Sequence, residues 1–260
     1  MTSRFYLNND VSPYKNLAPD AVWDLTSSVV RHRLENTLET ANTGSSTPGA
    51  TKAAAGPLDV LIIQGFLPFL AAQTFSGNFR GHFRCQESNG AMDATAQCVV
   101  RVIDPVTETV RGTLISASSH SAVSAVPDAV GYEWTTGAGR SSRFPTGYTG
   151  TGQAVSSVDA EEGDWLIVEL GYRCFEVAAT SRNGIIVVTQ AVGSPDTGAN
   201  ETDTAGGNGW IEFSNDVLLL PRAAPKLPWT RRIKNIKFPP QNPVLGQLWP
   251  RGWGDYDNAS

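Results

Sequence analysis

The stretch from Phe75 to Cys85 alternates between two kinds of side chain, and this alternation constrains the fold more than any other feature. Because successive side chains of a strand point to opposite faces of a sheet, the pattern predicts a β-strand with one buried and one solvated face. The buried face is predicted to carry Phe75, Gly77, Phe79, Gly81, Phe83 and Cys85, and the solvated face Ser76, Asn78, Arg80, His82 and Arg84.

Similar apolar runs recur along the chain between Gly, Pro and Asp residues, and each predicts a further strand. No convincing helical pattern separates them, whereas parallel strands need crossover connections that usually contain helices. We therefore predict an all-β fold, namely an antiparallel, jelly-roll-like β-sandwich with extended N- and C-terminal arms. Asp104-Pro105-Val106-Thr107 predicts a hairpin turn. The predicted strands are Val30–Thr40, Asp59–Phe66, Gln73–Glu87, Ala94–Asp104, Thr109–Ser116, Asp164–Ala178, Asn183–Ala191 and Gly209–Leu219.

Charge and hydropathy argue against several classes of protein. The 260 residues carry a net charge of -5, which is unfavourable for a general nucleic-acid binder. No apolar run approaches the roughly 20 residues of a membrane-spanning helix. The first residues lack the apolar region of a signal peptide. We therefore expect no nucleic-acid partner, no membrane partner and synthesis in a cytoplasm without export by the usual route.

The distribution of charge and proline predicts three segments: residues 1–57 (an N-terminal arm and first strand), 58–220 (the sandwich body) and 221–260 (a C-terminal arm). The last segment has a net charge of +5 against -10 for the rest, and holds seven of 16 prolines and three of seven tryptophans. It is too rich in proline for a helix or central strand and too apolar for an ordinary disordered tail. We interpret it as an extended arm that docks on a neighbouring subunit; the alternative is that it wraps its own domain. The predicted docking residues are Trp229, Ile233, Ile236, Phe238, Leu248, Trp249 and Trp253.

The sequence contains no recognisable catalytic or metal-binding motif around its histidines and cysteines. His82 is expected to be solvated, and the Ser-rich stretch around His120 is weak support for a nucleophile. Each cysteine lies in a predicted strand, where it acts as a small buried hydrophobe, although Cys85 and Cys98 could pair if their strands are neighbours. We expect no enzyme activity, no catalytic residue, no cofactor and no metal.

Two acidic loops leave calcium binding open as an alternative, because carboxylate oxygens are ligands that Ca²⁺ prefers. Neither loop has the spacing of an EF-hand, and a solvated acidic loop is the commoner case. The first loop contains Asp159, Glu161, Glu162 and Asp164, and the second contains Asp196, Glu201 and Asp203.

Aromatic residues punctuate the weakly patterned stretch from residue 117 to 158. Rings in the loops of a β-sandwich can stack on sugars, so Tyr132, Trp134 and Tyr148 are candidate glycan-binding residues. The alternative, of equal weight, is that these rings and Phe144 pack over the end of the sandwich.

A series of segments resembles a group of tailed-bacteriophage virion structural proteins of the minor tail type, and the resemblance covers roughly residues 4–214. It implies a virion component with a jelly-roll-like sandwich. The residues that carry it are RFYL (Arg4–Leu7), AAQTFSGNFRGHFRCQESN (Ala71–Asn89), VVRVID (Val99–Asp104), VRGTLI (Val110–Ile115), RFP (Arg143–Pro145), GDWLIVELGYR (Gly163–Arg173) and WIEFS (Trp210–Ser214).

Together these observations predict a non-enzymatic bacteriophage structural protein. Its partners would be other copies of itself and other virion proteins, and it would reside in the virion after assembly in the bacterial cytoplasm. The sandwich would form the body, while residues 1–20 and 221–260 would fasten it to its neighbours. Two alternatives stay open: a module of a tail tip or fibre that binds a host-surface glycan, and a hydrolase of cell-wall polysaccharide.

Overall fold

The computed structural model describes residues 2–8, 17–26, 29–37, 45–48, 57–117, 134–136, 140–145, 151–175, 182–189, 195–197 and 207–220. Over these residues the protein is all-β, which confirms the predicted fold class, and the helix that they contain is a single 3-10 turn at Gly90–Met92. The strands are β1 (Ser3–Asn8), β2 (Val30–Glu35), β3 (Ser45–Pro48), β4 (Leu58–Leu67), β5 (Gln73–Phe75), β6 (Asn78–Glu87), β7 (Ala94–Ile103), β8 (Val110–Ile115), β9 (Thr135–Thr136), β10 (Arg140–Phe144), β11 (Gln153–Ala154), β12 (Val158–Ala160), β13 (Trp165–Cys174), β14 (Gly184–Thr189) and β15 (Trp210–Phe213).

Thirteen of these strands form one large, curled, mixed sheet. Its order is β3-β14-β6-β15-β1-β2-β4-β13-β7-β8, and β9, β10 and β11 are also paired with β6. Most neighbours are antiparallel, as predicted, but β2 runs parallel to β4 and β9 runs parallel to β6. The strands β5 and β12 form a separate pair. The division of the sheet into the two layers of a jelly-roll-like sandwich stays a prediction.

The strands β6 and β13 are the centres of two halves of the sheet. Along its two edges β6 pairs with β14 and β15, and with β9, β10 and β11. The strand β13 lies between β4 and β7. One apolar cluster contains buried side chains from both centres, among them Phe79 and Phe83 of β6 and Leu170 and Tyr172 of β13. The halves therefore share a core, and burial of its apolar surface, at about 25 cal/mol per Å², is the main stabilising force.

The half around β13 is also covered on its second face, where residues 17–25 pack. Leu17 lies in a cluster with Phe66, and Trp23 lies in another with Leu61 and Val99. Every residue of β7 is buried as a result. Strands that are buried on both faces form continuous apolar runs instead of alternating, which explains the run of apolar residues in β4.

The predicted strands agree with the observed ones to within a few residues at most ends, but the run that predicts one strand from Gln73 to Glu87 is interrupted. It divides into β5 and β6 because Gly77 has a φ of 87°, in the left-handed region that glycine adopts without steric cost. The predicted turn at residues 104–107 is confirmed: it joins β7 to β8, and Asp104 Oδ1 accepts a hydrogen bond from the Val106 amide at 2.8 Å.

The chain divides after Leu220 into two compact units, Met1–Leu220 and Pro221–Ser260. This boundary coincides with the one at which charge and proline content predict the C-terminal arm. The residues of that arm lie outside the described residues.

The N-terminal strand is part of the sheet, which differs from an arm that extends away from the body. Residues 3–5 pair with β15, and residues 6–8 pair with β2. Phe5 and Leu7 are buried in the shared core. Because β1 is held by strands on two sides, we assign the proposed fastening of neighbours, below, to residues 221–260.

All three cysteines, Cys85, Cys98 and Cys174, are free and buried. This confirms their prediction as small buried hydrophobes, and the alternative of a disulfide between Cys85 and Cys98 does not hold. Burial raises the pKa of the Cys85 and Cys98 thiols, since a thiolate would be poorly solvated inside the core.

Candidate functional site

Three charged side chains form one row across neighbouring strands, which we call the ionic ladder. The register places Arg4 of β1 opposite Glu212 of β15, and Glu212 opposite Arg80 of β6. Arg4 Nη2 donates to Glu212 Oε2 at 2.8 Å, and Arg80 Nη2 donates to Glu212 Oε1 at 2.6 Å. Opposite charges at directly facing positions stabilise one register of a sheet over the others. The ladder therefore joins the first strand of the chain to the last strand of the sheet.

Asp196, Tyr6 and Trp210 extend the ladder on the Arg4 side. Arg4 Nη1 donates to Asp196 Oδ2 at 2.7 Å, and the Tyr6 hydroxyl donates to the same oxygen at 3.1 Å. The Arg4 guanidinium also lies over the Trp210 ring, 4.0 Å from its centroid. This arrangement is a cation–π contact, in which the ring face attracts the positive charge.

The carboxylate of Glu212 is kept ionised by this arrangement. Burial acts to raise the pKa of Glu212, but the hydrogen bonds and charges of Arg80 and Arg4 outweigh it and hold the pKa below its ordinary value. A general base must be able to accept a proton near the working pH. An ionised carboxylate shared by two guanidinium groups is poorly suited to that role, and the ladder acts as a structural link.

The solvated position predicted for His82 is wrong. His82 is 1% exposed, and its ring lies 4.8 Å from that of Trp210, measured between centroids. The sequence pattern places His82 correctly on the face opposite the core, but Trp210 of the neighbouring strand covers it. Burial lowers the pKa of His82 to about 3, and the nearby charges of Arg143, Arg80 and Arg4 lower it further in the same direction. The imidazole is therefore neutral at ordinary pH.

A second carboxylate, Glu169 of β13, is completely buried beneath residues 17–25. It accepts hydrogen bonds from Arg101 Nη2 at 2.7 Å, Gln64 Nε2 at 2.9 Å and Trp23 Nε1 at 2.8 Å. The backbone amide of Asp20 donates to the same carboxylate at 3.1 Å. A buried charge is tolerated when it is paired and hydrogen-bonded in this way. Glu169 therefore anchors the covering segment to the sheet.

Asp59 is the described carboxyl group with the most strongly raised pKa. Burial raises the pKa of Asp59 to about 6, and the charge of Asp24 adds to this effect, while Arg173 and the hydrogen bond from Gln97 oppose it. The Asp59 amide donates to Asp24 Oδ2 at 2.9 Å, which ties the covering segment to the start of β4. A raised pKa at a buried position is common at active sites and in structural networks alike. The contacts of Asp59 are those of a structural network.

The candidate glycan-binding residues are only partly described. Trp134 is 1% exposed, and its ring packs against Tyr172 with centroids 5.3 Å apart. A buried ring cannot stack on a sugar, so the glycan-binding interpretation of Trp134 is wrong, and the alternative of aromatic packing holds for it. Phe144 is likewise buried, against Phe83. Tyr132 and Tyr148 lie outside the described residues.

The acidic turn at residues 159–164 is occupied by a side chain of the protein. Arg111 donates to Asp164 Oδ2 at 3.2 Å and to Glu161 Oε2 at 2.8 Å. In the second acidic loop, Asp196 belongs to the ionic ladder, while residues 201 and 203 lie outside the described part. Across the described ranges, no group of three or more His, Cys, Asp or Glu side chains could hold a metal ion.

Sequence reasoning misses both the ionic ladder and the Glu169 network. Their partners are far apart in the chain: 208 residues separate Arg4 from Glu212, and 146 separate Trp23 from Glu169. One local signal exists, since a lone charge in the apolar runs of β4, β7 and β13 suggests a buried partner. That signal gives the presence of a polar network but not its members.

All seven predicted docking residues, from Trp229 to Trp253, lie outside the described residues. In the part of the chain that is described, no helix is long and apolar enough to cross a membrane. No protein-family model and no curated protein sequence matches the chain. The resemblance to phage virion proteins therefore stays a prediction.

Proposed function

We propose that this protein is a structural component of a tailed-bacteriophage virion and that it works by assembly. Its body is the all-β unit that ends at Leu220, and residues 221–260 fasten that body to other copies and to other virion proteins. The observation that carries the proposal is the change at this boundary. A body with a net charge of -10 gives way to a segment with a net charge of +5 that is rich in proline and tryptophan.

The internal use of charge in the body supports this proposal. Arg4, Arg80 and Glu212 hold strands together, and Arg101 and Glu169 hold the covering segment. Such networks favour a body of fixed shape, because each partner can be satisfied in only one register. A subunit that is repeated many times in a particle needs a shape of this kind.

The composition of residues 221–260 supports the role of this segment in fastening. Proline-rich chain lacks the hydrogen-bonded structure of a helix or central strand, so it can follow the surface of a partner. An extended segment loses conformational entropy when it docks, and burial of its Trp, Ile, Leu and Phe side chains offsets that loss. Basic side chains would favour an acidic partner surface, and the body of this chain is acidic.

The proposal is tested with a full-length variant in which Trp229, Trp249 and Trp253 are each replaced by alanine. We expect this variant to be excluded from phage particles, because it lacks the largest docking side chains. Tyr256→Ala is the matched control, since it removes one ring of the same segment outside the predicted docking set. Thermal unfolding of the purified variants shows whether the body is intact.

Incorporation is measured by immunogold labelling of particles purified from an infected culture. The wild-type chain and Tyr256→Ala are expected to label the particles, and the triple tryptophan variant is not. Equal labelling by all three chains would contradict fastening by this segment. If the wild-type chain itself does not label purified particles, the virion role is wrong.

A further inference from the structure

An exposed apolar patch lies at the end of the body, where the described chain stops. Phe69 is 44% exposed, Leu218 is 52% exposed and Leu219 is 41% exposed. Isolated apolar side chains are common on protein surfaces, but large side chains grouped together more often mark an interaction site. We call these three residues the apolar patch.

Hydrogen bonds hold the apolar patch in place. The Leu220 amide donates to the Phe69 carbonyl at 2.8 Å, and the Ala71 amide donates to the Leu218 carbonyl at 3.0 Å. Gln73 grips the backbone of Leu218 from both sides, because its Nε2 donates to the carbonyl at 2.7 Å and its Oε1 accepts from the amide at 2.9 Å. The patch is therefore a built surface in which three apolar side chains are presented together.

The backbone of Phe69 has a φ of 62°, in the left-handed region that large side chains rarely adopt. The same hydrogen bonds that fix the patch maintain this conformation. A conformation that costs energy and presents a phenyl ring to solvent is the kind of feature found where a protein binds a partner.

Acidic side chains border the apolar patch. The amide of Leu70 donates to the Asp164 carbonyl at 2.9 Å, and the Gly163 amide donates to the Leu70 carbonyl at 2.9 Å, which places the acidic turn beside the patch. Glu161 and Glu162 of this turn are exposed. Arg111 offsets part of the negative charge through its pairs with Glu161 and Asp164. An apolar surface with an acidic border suits an occupant that combines apolar rings with positive charge.

We propose that the apolar patch is the acceptor surface for residues 221–260 of a second copy of this chain. That segment has the matching chemistry, with three tryptophans and seven basic side chains. The inference rests on the proposed function, and it names the partner surface of the fastening segment. Patch and segment are different parts of one chain, so each copy can receive one neighbour and bind another, which generates rings or filaments. Forty residues can span at most about 130 Å when extended, which is ample for reaching a neighbouring body.

The first test uses the full chain with Leu218→Glu and Leu219→Glu together, and sedimentation velocity over a range of protein concentrations. Two carboxylates beside the acidic turn should repel a basic segment and remove apolar contacts, so we expect assembly to weaken about tenfold or more. Val106→Glu is the matched control, because Val106 is 84% exposed in the turn between β7 and β8. Thermal unfolding verifies that both variants are folded.

The outcomes separate this inference from the proposed function. Assembly of the wild type and of Val106→Glu, with loss in the double variant, supports the acceptor surface. Equal assembly of all three chains overturns the acceptor surface and leaves the fastening function standing. If the wild type stays a monomer at every concentration, the acceptor surface and self-assembly through the segment are both overturned.

The second test identifies the occupant directly. Full-length chain with Leu219→p-benzoylphenylalanine is mixed with an equal amount of wild-type chain labelled with ¹⁵N, irradiated and analysed by mass spectrometry. We expect cross-links to peptides of residues 221–260 that carry the label. Cross-links to that segment of the same molecule only, or to another part of a labelled copy, would overturn the proposal. The same photoreactive residue at Val106 measures background cross-linking.

Discussion

The two buried ends of the charge scale in this protein, Glu169 and Glu212, show how differently one residue type can be used. Glu169 has no exposed surface and is surrounded by donors from the strands and from the covering segment. Glu212 is also mostly buried, but its partners Arg4 and Arg80 have side chains that are 34% and 28% exposed. The comparison teaches that the enclosed network fixes a layer onto the sheet, whereas the ladder fixes the order and register of strands.

The largest effect is expected from Glu169→Gln. The substitution keeps the shape of the side chain but leaves the Arg101 guanidinium buried without its negative partner. Breaking a buried ion pair in this way costs about 3–5 kcal/mol. Urea denaturation of the purified full chain measures the free energy of unfolding. Glu162→Gln, at an exposed position, is the control and should change that free energy little. A loss below about 1 kcal/mol would mean that the Glu169 network tolerates a missing charge.

An intermediate effect is expected from acid, through His82 beside the ladder. The folded pKa of His82 lies at about 3, below the ordinary value of 6.5, so the unfolded chain binds a proton that the folded chain does not. Stability is therefore present above pH 6.5 and is lost as the pH falls toward 3, by up to about 1.4 kcal/mol per pH unit.

The variant His82→Phe isolates this contribution, because it keeps a ring against Trp210 and cannot be protonated. We expect the free energy of unfolding of the variant to fall less steeply than that of the wild type between pH 6.5 and pH 4.5. Parallel curves for the two proteins in guanidinium titrations at each pH would contradict the neutral, buried state of His82.

The smallest effect is expected from Glu212→Gln in the ladder. Both arginines keep contact with water, so they lose less than a fully buried cation would, and we expect a cost of about 1 kcal/mol. High salt sharpens the comparison with Glu169→Gln, because the Debye length shrinks to about 3 Å at 1 M salt. The cost of Glu212→Gln should decrease there, and the cost of Glu169→Gln should not. Equal salt dependence of the two variants would remove the distinction between the networks.

The sequence predicts the strands of this fold well, because alternation and bounded apolar runs are local signals. The run Trp165–Cys174 illustrates this, since ten residues in β13 have the composition of a strand buried on both faces. The interruption at Gly77 is missed because alternation continues through a glycine whose φ is set by the turn. Parallel pairing of β2 with β4 is missed because it depends on contacts between distant parts of the chain.

The candidate sites are predicted less well, and two residues show the reason. His82 lies on the face that the pattern indicates, but only the position of Trp210, 128 residues later, decides that this face is covered there. Trp134 belongs to a stretch without strand pattern and is nevertheless buried against Tyr172. Solvent exposure is a property of the packed sheet, and the local sequence does not contain it.

The pairing of β1 has a consequence for how the molecule is made. Ser3 faces Phe213, and the Ser3 hydroxyl accepts a hydrogen bond from the Val217 amide at 2.8 Å. During synthesis the first strand must therefore wait on one side until nearly the whole body has left the ribosome. Contacts between residues so far apart in sequence form slowly. The nascent chain thus exposes an unpaired apolar strand for most of its translation, a period in which a chaperone or a neighbouring nascent copy could occupy that edge.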